Sequence, residues 1–496
     1  VRSFVELVER TQLRSEGGGW PGKGPEELLR LHEARARFFS ALENSSASDA
    51  DVAALAGDET SRTLSPEQVR SLRNTLANCP VSFTTAESPF TCVTLAASFA
   101  RTWRFIRRQK PRAEFLLATD CTYRPHASVQ EWSEDRYLIL MSRSLIWDLS
   151  ILADVVAMHI GGVRAALGDS PWRDPAFPYA LLMEFEHSEL RWQIPYLLCG
   201  FVEGERYRFA TQIGDGAFEQ AVGAEIAAGA IDCLLGHELA HVHEGHVRSK
   251  PQHSELWGPA RYAATHGHQH LGAEASRRVD DYSAHFWPHH ERELVADRIG
   301  LAIAGSSGPE GAWDLRLMGA QLALGLISFL DRATYMVQQR EDPAMLLGLE
   351  QYNIPGLVDL LLPKKTHPWG KTRATSLNNS LADIYEPSFS PGELKRKSNL
   401  MSGVGDIFGM YGAFGLLALR FARSKPGEFV AMLHPDGKLW TRHFPPTATA
   451  TAGHHDIVSD ASQFYLDQTG ESLIHSGYRY LLRAGHYPLP EGQSKK

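Results

Sequence analysis

Cysteine is scarce in this chain of 496 residues: the five stand at 79, 92, 121, 199 and 233, odd in number, scattered and never in a Cys-x-x-Cys pair. That excludes a dense disulfide framework and a thiolate zinc site, and leaves reduced, buried thiols as the simplest account. Long hydrophobic runs are missing too. The longest mainly apolar, uncharged stretches, Leu317–Leu330 and Ile407–Leu419, fall short of the roughly 18 residues a membrane span needs, so both read as buried helices and no transmembrane segment is expected. There is no excess of positive charge. With a net charge of −8 and acids and bases interspersed, no footprint for a nucleic-acid backbone exists. The densest basic stretch, Arg101–Arg112, reads as a solvated helix face. The chain also lacks a GxSxG nucleophile motif, an internal repeat, and a positively charged start followed by an apolar run and a cleavage site. A cytoplasmic location is expected, although Val1 in place of Met leaves the natural start of the chain open.

What is present is an ordinary globular composition, 43% hydrophobic and 22% charged. At about 150 residues per domain the length suggests two to four compact units. The beginning reads as helical. Pro25–Leu42 carries apolar residues at helical spacing, Asn44–Asp51 reads as a loop, and Ser65-Pro66 starts another helix with a capping serine and a proline in the first turn. Tyr137–Met141 has the length and composition of a strand and leads into an apolar helix, Leu145–Met158. A Gly/Pro/Asp-rich loop over 161–178 and a possible strand pair over 198–210 follow. Ala224–Gly245 and a segment running from Glu291 through Ala304 read as helices, joined by a histidine-rich connection. Phe429–Trp440 signals a hairpin at Pro435-Asp436-Gly437, and 445–453 a low-complexity linker. The expected fold is mainly α with a small β-sheet, an α+β chain. Its expected domains are a helical N-terminal region (1–136), a core (137–385) with an insertion at about 160–222, and a mixed C-terminal region (386–496).

The segment that carries chemistry is Gly236–His246, GHELAHVHEGH. Residues four apart lie about 40° apart around a helix axis, so His237 and His241 point two imidazoles at one spot. Glu238 sits beside that spot, where a carboxylate can take a proton from a metal-bound water. An HExxH string arises by composition alone about once in twenty such chains, so the rest of the site must carry the argument. Zinc needs a third protein ligand and an open position. The HExxHxxGxxH pattern fails here, because Glu244 and Val247 occupy its glycine and third histidine positions. His246 lies about 140° further round the helix than His241 and cannot share the ion unless the helix breaks, as it could at Gly245. Glu293 and Asp297 share one helix face, so Glu293 could bind metal while Asp297 holds an imidazole. His285, His289 or His290 would serve instead, beside His266, His268 and His270, which read as a solvated histidine-rich loop.

Three motifs now stand in order: HELAH with His246, Glu293-Leu294-Val295-Ala296-Asp297 continuing as Arg298-Ile299-Gly300, and Thr366-His367-Pro368 with Arg373. Over roughly residues 137–375 the chain resembles the CAAX prenyl protease/HtpX-like zinc metallopeptidases, a gluzincin family. The resemblance implies a zincin-like core, one zinc ion held by His237, His241 and Glu293, and Glu238 as general base. It also implies that His367 and Arg373 reach the cleft as regulator or transition-state stabiliser. Two features depart from the family: about 80 residues separate the strand at Tyr137–Met141 from the HExxH helix, and the family's frequent membrane spans are missing. The expected reaction is hydrolysis of a peptide bond in a protein or peptide substrate, with a partner protein possible through the flanking regions. The alternatives are a catalytically idle, zinc-stabilised binding module and a metal-dependent hydrolase of non-peptide amides.

Overall fold

The computed structural model describes residues 2–19, 25–56, 64–120, 126–187, 216–248, 286–309, 311–339, 367–368, 370–385 and 388–424. Over these the protein is mostly helical with one small mixed sheet of four strands, an α+β architecture. The possible strands at 198–210, the hairpin at 429–440, the linker at 445–453, and His266, His268, His270 and His285 lie outside the described residues.

The chain falls into two compact units. The first comprises Val1–Leu149, Ala228–Pro251 and Val295–Pro309. It opens with helices α1 (Arg2–Gly19), α2 (Pro25–Glu43), α3 (Asp49–Ala54) and α4 (Pro66–Asn78). The start of α4 follows its local signals: Gln68 N–H donates to Ser65 Oγ at 3.2 Å and Ser65 N–H to Gln68 Oε1 at 2.8 Å, a reciprocal cap in which Pro66 forfeits no bond. Ser48 Oγ caps α3 by accepting from Asp51 N–H at 3.1 Å, so the polar stretch expected as a loop from Asn44 already turns helical at Asp49.

Strand β1 (Val81–Phe83), helix α5 (Pro89–Ile106) and strands β2 (Glu114–Asp120), β3 (Ala127–Ser133) and β4 (Arg136–Ser142) follow. The sheet order is β1-β2-β4-β3, with β1, β2 and β4 parallel and β3 antiparallel at one edge. The expected strand at Tyr137–Met141 is β4; the other three strands lie in the region read as helical. The reason is burial. β2 is covered from Phe115 to Asp120, and a strand buried on both faces shows a continuous apolar run rather than alternation, a pattern shared with a buried helix turn. Edge strand β3 is part-exposed along its length and so has no apolar face to display.

Behind β2 lies a buried polar cluster. The Glu87 carboxylate accepts from Thr119 N–H (2.6 Å), Thr119 Oγ1 (2.5 Å), Gln12 Nε2 (3.0 Å) and the Arg143 guanidinium (3.3 Å). Both charges are paired and hydrogen-bonded, which makes their burial tolerable.

The second unit comprises Ser150–Ala227, Gln252–Leu294 and Glu310–Lys496. It takes most of α6 (Arg143–Leu167), a 3-10 turn at Pro171–Arg173, and α7 (Phe177–His187); α6 therefore extends through part of the stretch expected as a loop. Helices α8 (Ala217–His243) and α9 (Trp287–Ser306) are the expected HExxH and ExxAD helices, and the division between units falls within each. Helix α10 (Trp313–Gln339) packs on α11 (Gly370–Tyr385) and α12 (Pro391–Ser424). Asp314 at the start of α10 is clamped by Arg396 at 2.9 Å and the buried Lys397 at 2.8 Å. Among the described residues two helices, α6 and the Trp313–Leu330 part of α10, are long and apolar enough to cross a membrane; 56% and 72% of their most apolar stretches are buried within the protein.

Candidate metal centre

Helix α8 ends where glycine lets it. Gly245 adopts φ +70°, its N–H donates to Val242 O at 3.2 Å, and His246 N–H reaches back to His241 O at 2.9 Å. This pair of bonds is the Schellman closure, which needs a left-handed residue that only glycine supplies without strain. The turn swings His246 back over the helix. Its Nδ1 lies 3.0 Å from His241 Nδ1, so it meets the rear nitrogen of that ring. The helix does break as the sequence permitted, and the break places His246 behind a candidate ligand rather than beside it.

The front nitrogens face each other. His237 Nε2 and His241 Nε2 are 3.2 Å apart, with ring planes at 84°. On the far side of His237, Nδ1 lies 2.9 Å from Asp297 Oδ1. A carboxylate only accepts, so this contact fixes the His237 tautomer with its proton on Nδ1 and its Nε2 lone pair facing His241. Glu293, one turn before Asp297 on α9, completes the group: one ligand atom from each of His237, His241 and Glu293 lies within 4.8 Å of the others. His237, Glu238, Glu293 and Asp297 are buried and His241 is half-buried.

These residues fit a tetrahedral cation. Two nitrogens each about 2.0–2.1 Å from such an ion stand about 3.3 Å apart, and the observed separation is 3.2 Å. Two imidazoles and a carboxylate form a donor set suited to zinc, with Asp297 as the outer partner that raises ligand basicity. Among the described residues no other group of histidine, cysteine and acidic side chains draws together in this way. His290, considered as a third ligand, is fully buried on α9 and His289 is half-buried; neither belongs to the group. His367 is exposed, with Nε2 3.3 Å from Glu293 Oε2. Arg373 is buried on α11, six residues further on. Comparison with known protein families, with curated proteins and with solved structures finds no match.

Two supports of the site lie beyond the candidate ligands. The first is a glycine crossing. A Cβ on Gly300 would lie 2.5 Å from Cys233 O, and one on Gly236 3.1 Å from Gly300 Cα, so α8 and α9 meet backbone to backbone one residue from His237. The second is Asp232, fully buried on α8. It accepts from Ser98 Oγ (2.6 Å), Arg101 Nε and Nη2 (2.8 Å each) and Ser307 Oγ (2.6 Å). That carboxylate ties the HExxH helix to α5 and to the residue just after α9. The only local signal for it is a lone acid in the apolar run Ala227–Leu235. Past the helix, Arg248 holds the β3–β4 turn through Glu131 Oε2 (2.7 Å) and Asp135 Oδ1 (2.9 Å), and these hydrogen bonds push the Glu131 carboxyl down and the guanidinium up.

Proposed function

We propose that the chain is a zinc-dependent endopeptidase of the gluzincin kind, built on a zincin-like core and related to the CAAX prenyl protease/HtpX-like enzymes. The observation that carries this reading is the convergence of His237 Nε2, His241 Nε2 and a Glu293 carboxylate oxygen, with Asp297 behind His237. His237, His241 and Glu293 would hold one zinc ion. When bound, zinc supplies Lewis acidity, polarising a scissile carbonyl and lowering the pKa of water to about 7.

The chain's own residues supply the rest. Glu238, next to the first ligand and buried, accepts a proton from the attacking water and passes it to the leaving amine nitrogen. Asp297 keeps the His237 proton on Nδ1 throughout the cycle. His367 stands against Glu293, with Nε2 3.3 Å from Oε2, and His367 and Arg373 are the donors assigned to the charge that develops on the substrate oxygen. A peptide or protein is the substrate class.

The test is metal analysis of the purified chain with a peptidase assay, with and without chelator, on wild type and Glu238→Gln. The expected result is one zinc per chain in both proteins and an activity loss of about two to four orders of magnitude in the variant. Proteolysis that survives chelation, or that the variant retains in full, ends the peptidase reading.

A further inference from the structure

We infer that the turn between α5 and β2 is a docking surface for an anionic lipid membrane. The basic stretch expected as a helix face is not one: α5 ends at Ile106, and Arg107, Arg108, Lys110 and Arg112 project from the turns that follow. With Arg104, five cations fall within nine residues that contain no acid. All but Lys110, which is half-exposed, are exposed. Phe105 stands among them with 42% of its surface exposed, one of four exposed large hydrophobic residues among those described. The nearest acid in sequence, Glu114, is engaged by Arg136 at 2.8 Å. The segment is anchored, since Arg101 grips Asp232 and the Arg104 guanidinium donates to Ser306 O at 2.9 Å.

The chemistry favours a lipid surface over the other polyanions. Binding to a bilayer surface grows with the apolar area placed at the headgroup boundary and with the attraction of basic residues to anionic headgroups, and this patch offers both. A nucleic acid would run beyond nine residues across a protein of net charge −8, and the other aromatic in the stretch, Trp103, is buried and cannot stack on a base. A membrane contact can stay local, because charges beyond about 8–10 Å are screened at physiological salt.

The experiment is co-sedimentation of the full chain with phosphatidylcholine vesicles, with or without about one-third phosphatidylglycerol. Each cation near an anionic surface contributes about five-fold in partition. The expected outcome is binding to the anionic vesicles only. The Arg107→Glu/Arg108→Glu double variant should bind at least about 25-fold more weakly, and Phe105→Ala several-fold more weakly at the same salt. Unchanged unfolding midpoints show that these exposed substitutions leave the fold intact. Failure of the wild type to pellet with anionic vesicles overturns the proposal, as does a double variant that binds like wild type. Retention on a DNA duplex or polyglutamate without vesicle binding overturns it as well. None of these readouts depends on peptidase activity.

Discussion

Two buried polar clusters of this protein differ in how their charges are answered. Around Glu87, donors from Thr119, Gln12 and Arg143 surround one carboxylate, so demand for protons and supply of them are matched within the chain. Around His237 the converging atoms are two imidazole nitrogens and a carboxylate oxygen, all suited to accept. The first arrangement is complete as a piece of structure. The second gathers acceptors about one point, which is the chemistry of a cation site. Burial alone does not separate them; the sign of what converges does.

Truncation breaks the comparison most sharply. Glu87→Ala takes from the buried Arg143 a carboxylate it pairs with, and losing one partner of a buried pair costs about 3–5 kcal/mol. Urea unfolding should register that loss in full, with or without chelator. His241→Ala, in contrast, should lose bound zinc while the chelated protein unfolds close to the chelated wild type, since His241 is only half-buried. If the two variants are equally destabilising under chelator, the distinction between the clusters fails.

A buried imidazole outside both clusters sharpens it. His159 on α6 is 1% exposed, donates from Nδ1 to Val155 O at 2.7 Å, and is pushed down by burial to a pKa of about 4. The folded value lies below the unfolded one of 6.5, so between them the unfolded chain binds the extra proton. Stability is therefore full above pH 6.5 and falls as pH drops toward 4, by about 3 kcal/mol in all. In His159→Met, the plot of unfolding free energy against pH should be shallower by close to one proton over that window. An unchanged slope would mean that His159 is charged in the folded protein.

Legibility followed locality. The caps at Ser65, the β4–α6 junction and both site helices were readable because their signals lie within a few residues. The HExxH and ExxAD spacings put His237 with His241, and Glu293 with Asp297, on common helix faces for the same reason. Strands β1 and β2 were not readable, since β2 owes its buried run to helices and strands distant in sequence. Asp232 was missed, and Gly300 was read within a motif without its packing role, because each is defined by what another helix brings to it, at 2.6 Å and 2.5 Å. The basic stretch was misread because nothing in Arg-Phe-Ile-Arg-Arg shows that the helix stops at Ile106.

The finest distinction lies between the two imidazoles of the centre. His237 is backed by a carboxylate at 2.9 Å and His241 by the imidazole of His246 at 3.0 Å. A charged acceptor holds the Nδ1 proton more firmly than a neutral ring and makes the opposite nitrogen a stronger ligand. Asp297→Ala should thus weaken zinc affinity by about 10- to 100-fold, and His246→Ala by less, near the lower end of that range. Competition titration with a chromogenic chelator measures both. Rescue by Asp297→Glu or Asp297→Asn would separate the roles: Glu restores the charged acceptor, while Asn keeps a hydrogen bond without charge. If His246→Ala proves the costlier change, the half-buried imidazole, not the carboxylate, governs the strength of the centre.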